Sequence, residues 1–324
     1  MPLLTSRPSS TLTHISIVGA GAIGQLIFHQ LSTAINPLQH RLNIITRASQ
    51  SCTQQLTLTD LNHRQTTKMA MLVGKDEYAQ QLPNTDLLIV CVKAYQVNNA
   101  LQSLLPHLSP NCHILLLHNG MGPHLTVSAM LAGQSLSLGT TSQGALKQSA
   151  WHITQTGNGL TQLGPYSQPS TLPQPLQTML LTAIPNSQWC SDILTMLWQK
   201  LAVNAAINPL TAIEQCQNGQ LADKQYQADI TTVVAELVSV AKAQHIELEL
   251  NAVLDRVYQV IALTAQNYSS MHQDVHHQRL TEIDAINGFV VQMAKNHHIA
   301  TPKNQLFVEQ IKLLEQQYSP LISS

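Results

Sequence analysis

Residues 14–26 read HISIVGAGAIGQL and indicate the fold of the N-terminal half of the chain. This stretch opens with a short apolar strand and runs into glycines spaced as G-x-G-x-x-G at the start of a helical pattern. There Gly19 permits a tight turn, Gly21 lets the backbone approach a pyrophosphate, and Gly24 allows close packing of helix on strand. The positive end of the helix dipole suits the phosphates. A purely structural turn is the alternative, but the flanking strand and helix favour a dinucleotide site.

The next strand, RLNIITR (41–47), indicates which dinucleotide binds. An acidic residue at its end would bind the ribose 2′-hydroxyl of NAD, whereas a cation suits the 2′-phosphate of NADP. The strand ends in Thr46-Arg47, with no carboxylate beside it. Arg47 could be only a solvated charge at a strand end, but the missing acid favours NADP.

The surrounding pattern alternates strands and helices. Residues 54–72 predict a hairpin-like excursion, and DLLIVCV (86–92) and HILLLH (113–118) are continuous apolar runs of strand length, separated by a helical pattern over 95–105. Such strands predict a parallel sheet covered on both faces. Residues 134–163 are β-rich and precede a Pro/Ser/Gln-rich loop at 165–175.

The second part of the chain has a different character. Long helical patterns cover 191–213, 225–246, 249–266 and 280–298, with few strand signals. We therefore expect an α/β Rossmann-type NADP-binding domain over residues 1–190. An all-α domain for substrate binding and catalysis is expected over residues 191–324.

Composition limits the classes of partner. The chain has 324 residues, 44% of them hydrophobic and only 10% charged, with a formal net charge of −1. This balance gives no general attraction to nucleic acid or to an anionic membrane, so any anion must bind locally. No apolar stretch approaches the ~18 residues of a membrane span. The first dozen residues are Ser/Thr-rich and are expected to form a loose tail.

The five cysteines and fifteen histidines suggest no metal site. The cysteines are odd in number and contain no C-x-x-C pair, so we expect reduced core thiols in a cytoplasmic protein. The adjacent pairs His276-His277 and His297-His298 lack metal-ligand spacing. Most histidines are expected at the surface.

One helical pattern carries polar residues in apolar company. In LWQKLAVNAAINPLTAI (197–213), Lys200, Asn204 and Asn208 recur at i, i+4 and i+8, within about 80° of one another around the helix. Burial of such groups without partners costs several kcal/mol, so the stripe suggests a polar ligand. A solvent-facing stripe of an amphipathic helix is an equal alternative. Further on, Thr281 or a neighbour could cap a helix, and Glu282 would then be an ordinary first-turn carboxylate.

Together these segments resemble the ketopantoate reductase family, also called 2-dehydropantoate 2-reductases. The segments that carry the resemblance are GAGAIGQL (19–26), VCVKAYQV (90–97), LLHNGMG (116–122), LGTTSQGA (138–145), LWQKLAVNAAINPLTAI (197–213), Asn218-Gly219, SSMHQDV (269–275) and RLTEIDAINGFVV (279–291). The resemblance implies NADPH-dependent reduction of ketopantoate to (R)-pantoate, by a monomer or homodimer with a C-terminal domain of the 6-phosphogluconate dehydrogenase type. The alternatives are reduction of another 2-oxo acid, or a non-catalytic NADP(H)-sensing protein on the same scaffold.

The resemblance also implies residue roles. Cofactor binding falls to Gly19, Ala20, Gly21, Ala22, Ile23, Gly24, Arg47, Lys93, Asn119 and Ala145. Substrate binding falls to Lys200, Asn204, Asn208, Asn218, Asn267 and Ser270, and catalysis to Lys200 and Glu282. A lysine can stabilise the developing oxyanion and donate a proton to it. His272 stands where the family usually has an apolar residue, so it would either add pH dependence or point to solvent.

Overall fold

The computed structural model describes residues 12–166 and 171–318. The predicted N-terminal tail, up to residue 11, and residues 167–170 of the predicted loop lie outside this part. The described residues form two compact units. The first unit falls within the ranges Met1–His118 and His124–Ile193, and the second unit within Asn119–Pro123 and Leu194–Ser324. The short segment Asn119–Pro123 thus groups with the second unit although it lies far from it in sequence.

The first unit contains one sheet of eleven strands flanked by helices. The strands are β1 (Thr13–Val18), β2 (His40–Ile45), β3 (Cys52–Thr59), β4 (Gln65–Val73), β5 (Leu87–Val90), β6 (His113–Leu117), β7 (Ser135–Thr141), β8 (Gly144–Ser149), β9 (His152–Gly157), β10 (Thr161–Pro165) and β11 (Ser187–Trp189). Their order in the sheet is β11-β10-β7-β6-β5-β1-β2-β4-β3-β9-β8. The helices are α1 (Ala22–Ala34), α2 (Tyr78–Gln81), α3 (Ala94–Leu104), α4 (Pro123–Met130) and α5 (Gln174–Ala183).

The middle of the sheet is parallel, as the apolar strands predict. Six neighbouring strands, β7-β6-β5-β1-β2-β4, pair in parallel. The two strands β5 and β6 are buried along their whole length, and Ile15, Ile17 and Ile89 are fully inaccessible. This confirms the Rossmann-type α/β domain, and the predicted excursion at 54–72 is the antiparallel hairpin β3–β4.

The prediction that the sheet is covered on both faces is wrong for the β3–β4 hairpin. Met69 and Met71 on β4 are 63% and 49% exposed, because alternate residues of the hairpin point away from the core. Strands β7 and β10, and strands β8 and β9, also pair antiparallel, so the sheet as a whole is mixed.

The second unit is helical, which confirms the predicted all-α domain. Its helices are α6 (Ile193–Glu214), α7 (Lys224–Ala243), α8 (Leu250–Leu263), α9 (Ser270–His276), α10 (Asn287–Asn296) and α11 (Pro302–Gln316). A buried polar network joins four of them: Asn287 of α10 donates to Ala205 O and to Asn304 Oδ1, and Asn304 of α11 donates to Glu236 of α7. Because the side-chain amide nitrogens of Asn287 and Asn304 donate to groups on other helices, the network helps to fix the packing of the helices.

The single helix predicted over 280–298 is wrong. The α-helix begins at Asn287, and residues 283–285 form only one 3-10 turn. Thr281 donates its backbone N–H to Glu315 of α11 at 2.7 Å and accepts from the N–H of Ile283 through its hydroxyl. These bonds hold the segment in a turn, so Thr281 caps no α-helix and Glu282 is not a first-turn carboxylate.

Cysteines and histidines depart in part from expectation. All five cysteines are free, but Cys52 is exposed rather than a core thiol. Four histidines are buried: His29, His113, His124 and His272. Across residues 12–166 and 171–318, no helix combines the length and apolar character needed to cross a bilayer. Nor does the described chain gather three or more His, Cys, Asp or Glu side chains suited to one metal ion.

Candidate active site

The glycine loop lies at the carboxyl end of β1 and opens α1. Gly19 has φ +105°, which a residue with a side chain adopts only at a cost. A Cβ on Gly24 would collide with the backbone of Gly19, whereas a Cβ on Gly21 would enter open space. The loop therefore packs closely on its helix side and leaves room beside Gly21.

The N-terminus of α1 is suited to an anion. Gly21 is its N-cap, no side chain caps it, and its first turn contains no acidic residue. The backbone N–H groups of this turn and the positive end of the helix dipole favour negative charge. The room beside Gly21 and the uncapped helix end thus fit a dinucleotide diphosphate.

The other predicted cofactor residues of the first unit follow parallel strands or lie on β8. Since Val18 pairs with Ile45, Arg47 follows β2 at the same edge of the sheet as the glycine loop. Arg47 is exposed, and Tyr78 donates its hydroxyl to the carbonyl of neighbouring Thr46 at 2.6 Å. Tyr78 therefore stabilises the end of β2, a role that sequence reasoning missed. Lys93 occupies the N-cap position of α3, three residues beyond β5, and its side chain makes no capping bond. Ala145, which is partly buried, is the second residue of β8.

Within the second unit, three predicted site residues converge. Lys200 Nζ donates to Asn119 Oδ1 at 2.9 Å. Glu282, 5% exposed, acts on the same ammonium through its charge. Desolvation lowers the pKa of Lys200 to about 8, and the attraction of Glu282 opposes this shift. The result is a partly buried lysine that changes protonation close to neutral pH, held between an amide and a carboxylate.

Asn119 reaches Lys200 because its segment is attached to the turn that carries Glu282. Met121 donates its backbone N–H to Ala285 O at 2.7 Å. Gly120 has φ +76°, and a Cβ there would lie 2.5 Å from the same carbonyl. This close approach of two backbones explains the N-G pair in HNGMG and brings Asn119 and Glu282 to one lysine.

The polar stripe of α6 does not lie entirely in solvent. Asn204 is partly buried and Asn208 is 7% exposed. Thr211, fully buried, continues the stripe and donates to Ser269 Oγ at 2.7 Å. Ser269 also accepts the N–H of His272, so it caps α9, whose first residue is Ser270.

Sequence reasoning missed Thr211, although its spacing of three residues from Asn208 is the signal that could have found it. The bond from Thr211 to Ser269 attaches the start of α9 to α6. Ser270 itself is exposed.

Asn218 and Asn267 lie in one loop arrangement beside α8. Asn218 donates its backbone N–H to Asn267 O and its side-chain amide to Thr264 Oγ1, both at 2.9 Å. Its Oδ1 atom is buried without a hydrogen-bond partner among the described residues. An orphaned buried acceptor is costly, so this atom suits a ligand hydroxyl. Asn267 is exposed.

His272 does not point into solvent. It is 6% exposed and stacks on Tyr268 with ring centroids 4.4 Å apart. Desolvation, together with the neighbouring imidazoles of His276 and His277, lowers its pKa, while a hydrogen bond to the backbone of Gln215 opposes this. The aromatic stack and the backbone bond stabilise the imidazole in this buried position, although its Nδ1 atom has no hydrogen-bond partner among the described residues.

Comparisons with known proteins show the family to which the chain belongs. Residues 15–168 match the family described as "Ketopantoate reductase PanE/ApbA", and residues 192–315 match "Ketopantoate reductase PanE/ApbA C terminal". The chain is 40% identical to 2-dehydropantoate 2-reductase of Vibrio cholerae serotype O1 over 94% of its length and 99% of that protein. It is 36% identical to the Shigella flexneri protein of the same name, over 94% of this chain and 96% of the relative.

Solved structures show the same fold. The probable 2-dehydropantoate 2-reductase of Bacillus subtilis has a TM-score of 0.75 at 27% identity, covering 93% of this chain and 99% of its own. A D-mandelate dehydrogenase bound to NADH and anilino(oxo)acetate has a TM-score of 0.85 at 23% identity, covering 95% of this chain and 99% of its own.

Proposed function

Because the chain belongs to the ketopantoate reductase family, we propose that it reduces 2-dehydropantoate to (R)-pantoate with NADPH, a step of pantothenate and coenzyme A biosynthesis. The observation that carries this proposal is the convergence of Asn119 and Glu282 on Lys200. The 2-oxo acid is its small-molecule partner. We expect a cytoplasmic monomer or homodimer with neither nucleic acid nor membrane as partner.

The two units are assigned different tasks. The cofactor is assigned to the α/β domain (1–190), and substrate binding with catalysis to the helical domain (191–324). The proposed cofactor residues are Gly19, Ala20, Gly21, Ala22, Ile23, Gly24, Arg47, Lys93, Asn119 and Ala145. The uncapped start of α1 and the room beside Gly21 support the diphosphate position, and Arg47 supports NADP over NAD.

Catalysis requires a proton and a stabilised oxyanion at the substrate carbonyl. When bound, NADPH supplies the hydride for the C2 ketone. Protonated Lys200 stabilises the negative charge on the carbonyl oxygen and donates the proton to it. A pKa of about 8 leaves the lysine charged at neutral pH yet close to the value at which it releases a proton readily. Glu282 keeps the ammonium charged, and Asn119 orients it.

The remaining proposed residues recognise the ends of the substrate. Asn204, Asn208, Asn218, Asn267 and Ser270 offer amides and a hydroxyl, which bind a carboxylate and a distal hydroxyl without adding charge. The orphaned Oδ1 of Asn218 supports this assignment, since a substrate hydroxyl would satisfy it.

The test follows NADPH absorbance with the purified full chain and ketopantoate. We expect turnover by the parent protein and a loss of at least about a hundredfold in kcat for Lys200→Ala. Lys295→Ala, which changes an exposed lysine of the same unit, is the matched control and should retain parental kcat.

Three results would overturn the proposal in different ways. Oxidation of NADPH with another branched 2-oxo acid but not with ketopantoate would mean a different substrate. NADPH binding without turnover on any 2-oxo acid would indicate a sensing protein. Full activity of Lys200→Ala would remove the lysine from the mechanism.

A further inference from the structure

An exposed lysine on β8 reaches the glycine loop. Lys147 Nζ lies 3.5 Å from the carbonyl oxygen of Ala20, the residue between Gly19 and Gly21. It shares a face of its strand with Ala145, two residues earlier. None of the sequence motifs that carry the family resemblance includes Lys147, and the nearest of them, LGTTSQGA, ends at residue 145.

The position of Lys147 relative to the loop is fixed by a buried glutamine. Gln25, fully inaccessible, donates its side-chain amide to Ala20 O and to Ala150 O, each at 2.9 Å. Ala150 lies in the turn between β8 and β9. The β8–β9 hairpin is thus joined directly to the glycine loop, and Ile153, paired with Lys147 across the hairpin, is fully buried.

The charges around Lys147 call for an anion. Within the described residues it forms no ion pair. It lies near the positive end of α1, whose first turn has no acidic residue. A cation at a helix N-terminus is unfavourable unless negative charge compensates both. The room beside Gly21 is where such an anion fits.

We propose that Lys147 is a further cofactor-binding residue, which pairs its ammonium with the diphosphate of the dinucleotide above the glycine loop. The inference rests on the proposed function, since it requires a dinucleotide at this loop. It assigns two separate anionic groups to two cations: the diphosphate to Lys147 and the 2′-phosphate to Arg47.

The experiment measures the Kd of NADPH and of NADH by fluorescence titration for the full-length parent, Lys147→Gln and Arg47→Gln. Since NADPH and NADH share the diphosphate, we expect Lys147→Gln to weaken both by the same factor, about three- to tenfold. Arg47→Gln should weaken NADPH alone. The effect of Lys147→Gln should shrink as salt is raised, because salt screens exposed charges. Lys242→Gln, which changes an exposed lysine of α7, is the control.

Each outcome has a separate meaning. If the parent protein binds neither dinucleotide, the proposed function fails. If the parent binds NADPH and Lys147→Gln binds both dinucleotides with parental affinity, only the role of Lys147 fails. A loss for Lys147→Gln confined to NADPH would overturn the diphosphate assignment by placing the ammonium at the 2′-phosphate.

Discussion

A buried histidine should make the α/β unit sensitive to acid. His29 on α1 is 2% exposed, and neither ring nitrogen has a hydrogen-bond partner among the described residues. Desolvation, with a smaller contribution from the charge of Lys68, lowers its pKa from 6.5 to about 4. Between these values the unfolded chain binds a proton that the folded chain excludes, so stability falls as the pH decreases through this window.

The size of the effect follows from the two pKa values. The gap between 6.5 and about 4 corresponds to about 3 kcal/mol, at roughly 1.4 kcal/mol per pKa unit. At about pH 4.5, where the folded imidazole is itself partly protonated, about 2.5 kcal/mol of this has been lost. His29→Leu removes the titration and replaces two unpaired buried nitrogens with apolar atoms. We expect the variant to match or exceed parental stability at about pH 7.5 and to gain a further ~2.5 kcal/mol relative to the parent at about pH 4.5.

Hydrogen exchange of β1 and β6 amides measures the opening free energy of this unit without assuming that the whole chain unfolds in one step. His113 and His124, whose burial likewise lowers their pKa to about 4, are present in both proteins and cancel in the comparison. His63→Asn is the control, because His63 is exposed on the β3–β4 turn with φ 60°, which asparagine tolerates. A parent-to-variant difference that stays within about 0.5 kcal/mol across this pH range would refute the reasoning.

The site makes three further predictions. Thr211→Val removes a buried bond to Ser269, so it should lower thermal stability modestly and raise the KM for substrate several-fold. An unchanged KM would separate α9 from substrate binding. Gly21→Ala should fold normally but bind NADPH weakly, because its added Cβ enters open space. Gly24→Ala should lower the melting temperature, because its added Cβ collides with the backbone of Gly19. Equal melting temperatures for the two variants would contradict this reasoning. Turnover should fall as pH rises through about 8, where Lys200 loses its proton, and a rate that is flat up to pH ~10 would exclude the lysine as proton donor.

Local pattern was enough to predict the α/β half. Strands β1, β5 and β6 were predicted from apolar runs, and the turn after β1 from the spacing of its glycines. Both signals depend only on residues that are close in sequence. The spacing that places Lys200, Asn204 and Asn208 on one side of α6 is local in the same way. The helical pattern over residues 280–286 predicts a helix that does not form, because bonds to distant groups override it, above all the bond from Thr281 to Glu315. Propensity cannot register a partner 34 residues away.

The burial of individual histidines likewise could not be predicted from composition. Because the chain has so few charged residues, its composition predicts that histidines supply polar groups at the surface. His113, however, is buried within β6, where its imidazole forms a hydrogen bond of 2.8 Å with the hydroxyl of Ser137. His29 is buried without such a partner. Which histidines are buried depends on strand and helix packing, which a residue count does not contain.

The arrangement of side chains around Lys200 depends on a contact that no local pattern contains. Asn119 and Lys200 are 81 residues apart, and the amide belongs by sequence to the α/β half but by packing to the helical unit. What holds it there is backbone: Met121 bonded to Ala285 O, with Gly120 leaving no space for a side chain against the same residue. Since residues 119–123 and the turn after Glu282 attach to each other, the lysine is positioned from both sides. The motifs HNGMG and TEIDAING are therefore bonded to each other and together position Lys200.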